Sequence, residues 1–410
     1  MKKIFRYVAV VLSLLTGASS VSADWVASNS GLTNTNVYAL VVSGSMMFAA
    51  TNGGGVYRSL NDGATWDPVN TGLSNLNVYS LIVSGTYLFA GTVGGGVFLS
   101  TNNGLNWYQV NAGITNTHIQ AFAQSGTYLF AGTDGSGIFL TTTTGASWSP
   151  VNVGLTNKNV NVMAVSGTSL FAGTNMGGVF RSADNGNNWS PVNTGLSGTA
   201  LAITSFAVSG TYLFAGTADG VYRSADNGTS WSAVNTGLTR VSVYAFASAG
   251  VALYAATADG VFYTVNNGEN WYGLGLRSTG ASVRTFAISG QYLYTGTLGT
   301  GVWKRFLSDF TTGVGESALT SAPHRIALEQ NYPNPFNPST TIVYETASAS
   351  HVELAVFDVL GRRVATVVDR EESPGCHVAM FDASRCASGM YFLRFSNENR
   401  TVTRRMVVQK

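Results

Sequence analysis

The sequence predicts an all-β chain: a seven-bladed β-propeller followed by a small β-sandwich domain of immunoglobulin-like kind. Three observations carry this. Trp25, Trp66, Trp107, Trp148, Trp189, Trp231 and Trp271 are separated by 41, 41, 41, 41, 42 and 40 residues, a period that belongs to propeller blades or helical repeats. Each period holds short runs such as NVYALVVSG, TYLFAGT and GVFLS, rich in β-branched and aromatic residues, broken by Gly, Asn and Asp, and without the 3.6-residue apolar spacing of a helix. After Phe306 the repeat stops, and a stretch of different character begins.

The first residues stand outside this architecture. MKKIFR places three positive charges before the apolar run YVAVVLSLLTG, and VSA closes it with small residues. This is the pattern of an export signal, expected over residues 1–23 and cut after Ala23. No second apolar stretch follows, so no transmembrane segment is expected once the signal is removed.

Without Lys2, Lys3 and Arg6, nineteen Lys and Arg face twenty Asp and Glu, a net charge of −1. Between Asp24 and Trp303 there are only seven basic and nine acidic residues. Such a neutral skin argues against nucleic acid as a partner. The two cysteines, Cys376 and Cys386, both lie near the C-terminus, so no disulfide framework holds the repeats and their core must come from packing. Whether those two are bonded to each other is left open.

The blades follow in order. In the second unit VYSLIVS is the inner strand, TYLFAGT the second, GVFLS the third and WYQVN, from Trp107 on, the outer one. At the C-terminal end of the array SVRTFAISG, QYLYTGT and GVWKRF form a set of strands lacking an outer partner, whereas DWVASNSGL near the N-terminus is an outer strand lacking a blade. Joining them closes a ring of seven blades over residues 24–305 and removes exposed sheet edges.

Between the third and outer strands an octet recurs: SLNDGATW, STNNGLNW, TTTTGASW, SADNGNNW, SADNGTSW and TVNNGENW. Its third residue is an Asp, Asn or Thr able to bond backbone N–H groups ahead of it, its glycine tolerates positive φ, and its tryptophan closes the hairpin on the next blade. Two copies are complete, Ser182, Asp184, Gly186 and Trp189, then Ser224, Asp226, Gly228 and Trp231. This S-x-D-x-G-x-x-W pattern resembles the Asp-box of sialidase-type propellers, shared by the photosystem II assembly factors. The resemblance implies that the octets lie on the face away from any ligand. Asn61, Asn102, Thr143 and Asn266 stand in the acid's place elsewhere, which fits a folding staple and not a catalytic group.

LSDFTTGVGESALTSAP opens a stretch without strand alternation, expected to link two units over residues 306–329. The last segment, residues 330–410, reads as strands again. It carries NYPNPFNP, with Asn331, Pro333, Asn334, Pro335, Phe336, Asn337 and Pro338, then Phe357-Asp358 with Gly361, Gly375 with His377, Ser388 to Tyr391 around Gly389, and the closing Arg405-Met406-Val407. The prolines stiffen the approach to the first strand. These motifs resemble the C-terminal sorting domain of type IX secretion. The resemblance implies that this domain is an export address, that the type IX machinery is a partner, and that the chain ends up secreted or on the outer cell surface.

The propeller face opposite the octets is where a ligand is expected. Aligning the seven inner strands puts Asn36, Asn77, His118, Asn159, Ala202, Ser242 and Ser282 at one position. Tyr38, Tyr79, Gln120, Asn161, Thr204, Tyr244 and Arg284 come two residues later, and an apolar ring after that. A concavity lined by tyrosines and amides suits a glycan or a peptide. Each asparagine alone reads as a turn former; the ring as a whole supports binding. Asp134, Asp219 and Asp259 lie in turns of the same face. An enzyme is disfavoured. A glycosidase needs two carboxylates flanking the scissile bond, the propeller's one glutamate, Glu269, lies in an octet, and Arg284 has no second arginine beside it. No Ser-His-acid arrangement, metal-ligand spacing or cofactor motif is visible. The expected function is a non-catalytic binding or scaffold propeller; the alternatives are a sialidase-like or endoglucanase-like glycan hydrolase using Asp219 or Asp259, and a structural surface component.

Overall fold

The computed structural model describes residues 25–239, 242–276, 282–307, 327–328, 331, 334–346, 350–372, 375–397 and 400–409; the expected signal peptide and Pro333 lie outside them. Seven antiparallel sheets of four strands each succeed one another, and in six of them the strands neighbour in sequence order from the inner edge outwards. In the first blade they are Val37–Ser43, Met46–Thr51, Gly55–Ser59 and Asp67–Pro68.

The second strand of each blade is buried along most of its length because both of its faces are covered by neighbouring blades. Phe48, Ala50 and Val56 of the first blade pack with Val78, Leu81, Phe98 and Trp107 of the second in one buried cluster, and equivalent clusters repeat around the ring. The ring closes through its ends: Val26 pairs with Lys304 and Ala27 with Trp303, so the first strand is the outer strand of the last blade.

The outer strands are two residues long, not the longer run that WYQVN suggests. Three of them end on Pro68, Pro150 or Pro191, and proline offers no N–H to a ladder. An asparagine just beyond takes over. Asn70 accepts the Val56 N–H at 2.7 Å and donates to the Gly54 carbonyl at 2.9 Å, and Asn111, Asn152 and Asn193 do the same in the next three blades. This is why glycine opens the third strand in these blades: at Gly55, with φ +76°, a Cβ would sit 2.3 Å from Asn70 Oδ1.

The C-terminal unit consists of a four-stranded sheet, in the order Arg363–Glu372, Ser350–Phe357, Gly389–Asn397, Thr401–Val408, and a three-stranded one of Ala327–Leu328, Ser339–Thr346 and Gly375–Asp382. Ala327 and Leu328, within the stretch expected to link the two units, pair with Glu345 and Tyr344. Tyr344, Leu354, Val356, Leu393, Phe395 and Met406 are fully buried between the sheets. The proline-rich opening is stitched to the last strand. Asn334 accepts the Val407 N–H at 2.8 Å, Phe336 donates its N–H to the Val407 carbonyl at 3.0 Å, and the Phe336 ring is buried in the core. Asn331 is buried and donates to Thr340 Oγ1 at 2.9 Å. Asn337 and Pro335 are exposed, and the Pro338 carbonyl accepts from Ala383 N–H at 2.8 Å. Gly389 opens the third strand of the larger sheet. Cys386 is buried in the same core, and Cys376 pairs in register with Glu345.

Candidate functional site

Every inner strand carries one β-bulge in the same place. Register skips between Val37 and Ala39, Val78 and Ser80, Ile119 and Ala121, Val160 and Val162, Ile203 and Ser205, Val243 and Ala245, and Val283 and Thr285. The residues skipped are Tyr38, Tyr79, Gln120, Asn161, Thr204, Tyr244 and Arg284, the whole of the second ring read from the sequence. A bulge leaves its residue outside the ladder and re-aims the side chain. Seven repeats therefore present seven half-buried side chains around the propeller axis.

These side chains lean on the next blade in two ways. Asn161 Nδ2 donates to the Ile203 carbonyl at 3.0 Å, and Thr204 Oγ1 donates to the Val243 carbonyl, so both act as inter-blade staples. On the other side of the ring the contacts are between side chains. The Tyr38 and Tyr79 rings stack with centroids 4.1 Å apart, and the Arg284 guanidinium lies 4.1 Å from the centre of the Tyr244 ring. Blades six, seven, one and two thus form an aromatic arc holding one cation. Burial first, then the hydrogen bond and charge of Tyr38, push the Tyr79 phenol up to about 12, against the pull of the Arg284 guanidinium. The Leu40 N–H donates to Thr285 Oγ1 at 3.2 Å, which ties the strand of Tyr38 to that of Arg284. The Arg284 Nε is buried without a hydrogen-bond partner.

At the rim, Asn36, Asn77 and His118 are exposed and Asn159 is half-buried. Their backbone N–H groups are held by asparagines that the sequence reading passed over. Asn34, Asn75, Asn116 and Asn157 each accept the N–H of the residue two along at 2.9 to 3.0 Å. Their amides donate to the carbonyls of Asn52, Val93, Asp134 and Asn175 in the turn above. The N-x-N or N-x-H spacing before each of these strands was the available signal. Among the rim acids, Asp134 is exposed, Asp219 accepts the Tyr222 hydroxyl at 3.1 Å and Asp259 accepts the Thr239 hydroxyl at 2.7 Å. Among the described residues, no group of three His, Cys, Asp or Glu side chains is placed to hold a metal ion.

The octets occupy the opposite face. Ser182 Oγ donates to Asp184 Oδ1 and accepts the Gly186 N–H, each at 2.8 Å, and Asp184 Oδ1 accepts the Asn188 N–H at 2.9 Å. Ser224, Asp226, Gly228 and Ser230 repeat the arrangement. The Ser230 hydroxyl and N–H on its carboxylate hold Asp226 down to about 2, and the Asn188 amide holds Asp184 below the usual range. Trp189 Nε1 and Trp231 Nε1 donate to the Val151 and Val192 carbonyls of the preceding blade, both at 2.9 Å. Gly228, at φ +82°, leaves room for Phe171 of that blade, which a Cβ would approach to 2.7 Å. The residue before each glycine is also left-handed, from Asp62 at φ 51° to Asn103 at 57°.

Residues 330–409 match the model of the secretion system C-terminal sorting domain, and residues 183–283 that of the DUF6242 beta propeller domain. No curated protein matches this sequence. Among solved structures the chain is similar to PorZ, an essential bacterial surface component of the type-IX secretion system of Porphyromonas gingivalis, with 16% identity and a TM-score of 0.56 over 93% of this chain and 60% of PorZ. It is similar to YCF48 bound to D1 peptide, with 13% identity and a TM-score of 0.56 over 69% of this chain and 96% of that one. The GH74 xyloglucanase of Xanthomonas campestris is 14% identical, with a TM-score of 0.55 over 78% of this chain and 59% of the enzyme. The chain therefore spans 60% of the length of PorZ, and the three likenesses are of fold. The sorting domain directs the chain to the cell surface or the medium.

Proposed function

We propose that this exported Asp-box propeller, sorted by its type IX C-terminal domain, is a non-catalytic binding protein. Its ligand, a glycan or a peptide, seats on the face opposite the octets, against the arc of Tyr244, Arg284, Tyr38 and Tyr79. The carrying observation is the ring of bulges. Seven repeats spend their one ladder irregularity on the same position, and apart from the staples Asn161 and Thr204 and the amide Gln120 the side chains there are aromatic or cationic. Stacked phenols give flat, amphipathic contact area, and a half-buried guanidinium held over a ring supplies a positive charge beside it. The Tyr222 hydroxyl on Asp219 and the Thr239 hydroxyl on Asp259 give those carboxylates a part in holding the rim, which supports binding without turnover. A peptide ligand is favoured further by the fold shared with YCF48, whose structure holds the D1 peptide.

The hydrolase reading draws on the fold shared with a xyloglucanase and needs two carboxylates across a cleft. One experiment separates the readings. The purified chain, its Tyr38→Ala and Arg284→Ala variants, and Asp219→Asn and Asp259→Asn are screened on glycan and peptide arrays and assayed for product from the polysaccharides bound. Saturable binding without product is expected, weakened about tenfold or more by Tyr38→Ala or Arg284→Ala. Product formation lost in Asp219→Asn or Asp259→Asn overturns the proposal in favour of a hydrolase. Failure to bind anything favours a structural surface component.

A further inference from the structure

The tail is an address, and an address is read at its surface. In the larger tail sheet, side chains at Phe357, Met390, Phe392, Arg394, Arg405 and Val407 share the outer face, since the alternate positions Val356, Leu393, Phe395 and Met406 are buried. Phe357 lies opposite Phe392, and Phe392 opposite Arg405. Of the six large apolar side chains that the described tail residues leave exposed, five gather at this end. Leu360 is 74% exposed, Val359 60%, Met390 43%, Val364 41% and Phe392 37%, while Met380 stands apart on the other sheet. Further along the face the charges are paired, His351 with Asp369 and Glu353 with Arg363, the last standing opposite Phe357 at the margin of the apolar end.

The apolar end is also preformed. Asp358 Oδ1 accepts the N–H groups of Leu360 and Arg362 at 2.9 Å, and Gly361 closes the turn onto the Asp358 carbonyl at 3.0 Å with φ +77°. This fixes Val359 and Leu360 in the open. The carboxylate of that turn is already engaged, Asp358 Oδ2 accepting from Arg362 Nε at 2.7 Å. Arg394 lies 4.1 Å from the centre of the Phe357 ring and makes no ion pair among the described residues, and Arg405 flanks Phe392.

We propose that this face, Val359, Leu360, Phe392 and Met390 rimmed by Arg394 and Arg405, is the surface that the secretion apparatus grips, and that its receptor presents an acidic rim around an apolar pocket. An exposed apolar patch framed by polar groups marks a contact site. A stacked arginine beside aromatic anchors is the composition of an interface hot spot, and an unpaired cation calls for a carboxylate opposite.

The test uses the full chain expressed in a bacterium with type IX secretion. Arg394→Glu, and separately the pair Leu360→Ser with Phe392→Ser, should lower the exported fraction about tenfold or more, with folded protein collecting in the periplasm. Met380→Ser, exposed on the other sheet away from the patch, should export normally. Thermal melts of the retained proteins report folding, and Arg394→Gln substitutes for Arg394→Glu if the latter does not fold. Wild-type export by a folded Arg394 variant overturns the proposal. So does a wild-type dimer that the variants dissociate in sedimentation, since the patch then serves a second copy. Patch-dependent binding to vesicles of anionic phospholipid would overturn it in favour of a lipid contact.

Discussion

Trp25 Nε1 donates to the Leu274 carbonyl at 2.9 Å. Trp66 makes the same bond to Ser28, and Trp107 to Val69, each at 2.7 Å. In those two cases the tryptophan belongs to an octet and the carbonyl to the residue just after the outer strand of the preceding blade. Trp25 belongs to no octet, yet it ties the last blade to the sixth, so the N-terminal strand brings both the ladder and the staple that closure needs.

Trp25→Ala should therefore destabilise the propeller by about 2–4 kcal/mol, the range of large-to-small changes at a partly buried aromatic site. It should also open an edge that associates. Urea unfolding with size-exclusion chromatography checks this against Trp148→Ala, which should cost a similar amount without association because its blade stays paired on both sides. A Trp25→Ala protein with an unchanged midpoint would show that the ring is closed by other contacts.

Acid should loosen the octets in a defined window. Ionised Asp226 is favoured in the folded state, where hydrogen bonds to Ser230 hold its carboxyl down to about 2. A group with a lowered folded pKa contributes stability that is complete above the unfolded value, near 4, and is lost as pH falls through the folded one. Asp226→Asn keeps the hydrogen-bonding shape, as Asn61 does where it accepts the Thr65 N–H at 2.9 Å, but lacks the charge. Melting temperatures of wild type and variant should thus differ most above pH 4 or so and converge towards pH 2. A gap that stays constant over that range would assign the interaction no dependence on ionisation.

How much of this was legible in the sequence depends on which residues carried it. The tryptophan period, the octet and the two leftover ends specify blades, staple and closure, because each is a repeated or conspicuously missing unit. The bulges were legible in principle. Val37 and Leu40 are both buried and three apart, as are Val78 and Leu81, whereas an unbroken strand returns to one face only after an even number of residues. The short outer strands were not, since an asparagine that replaces a ladder bond looks like any turn residue. Nor was Thr144, left-handed at φ 54° in the degraded octet, where only the surrounding staple offsets the cost of a β-branched residue. Ala327 and Leu328 are too few to show alternation and take their place only through Tyr344 and Glu345.

The asparagine staples should rank among the costlier polar positions of the propeller. Asn152 accepts the Ile138 N–H at 2.7 Å and donates to the Ser136 carbonyl at 3.2 Å, beside an outer strand of only Ser149 and Pro150. Asn152→Ala removes both partners at once. Ile138 is fully buried, so water does not readily replace the lost acceptor, and an unsatisfied buried donor costs about 1–3 kcal/mol. The cavity beside Gly137, where a Cβ would lie 2.2 Å from Asn152 Oδ1, suggests the repair. Gly137→Ala, which should be disruptive in the wild type, should be less so with Asn152→Ala, apart from the strain of its φ of +79°. Native-state hydrogen exchange supplies the local readout: the Ile138 amide should exchange faster in Asn152→Ala, while Val179, held by Asn193 in the next blade at 2.7 Å, should keep its protection. Equal loss at both amides would mean that the blade opens as a unit and that Asn152 supports the whole ring and not one turn.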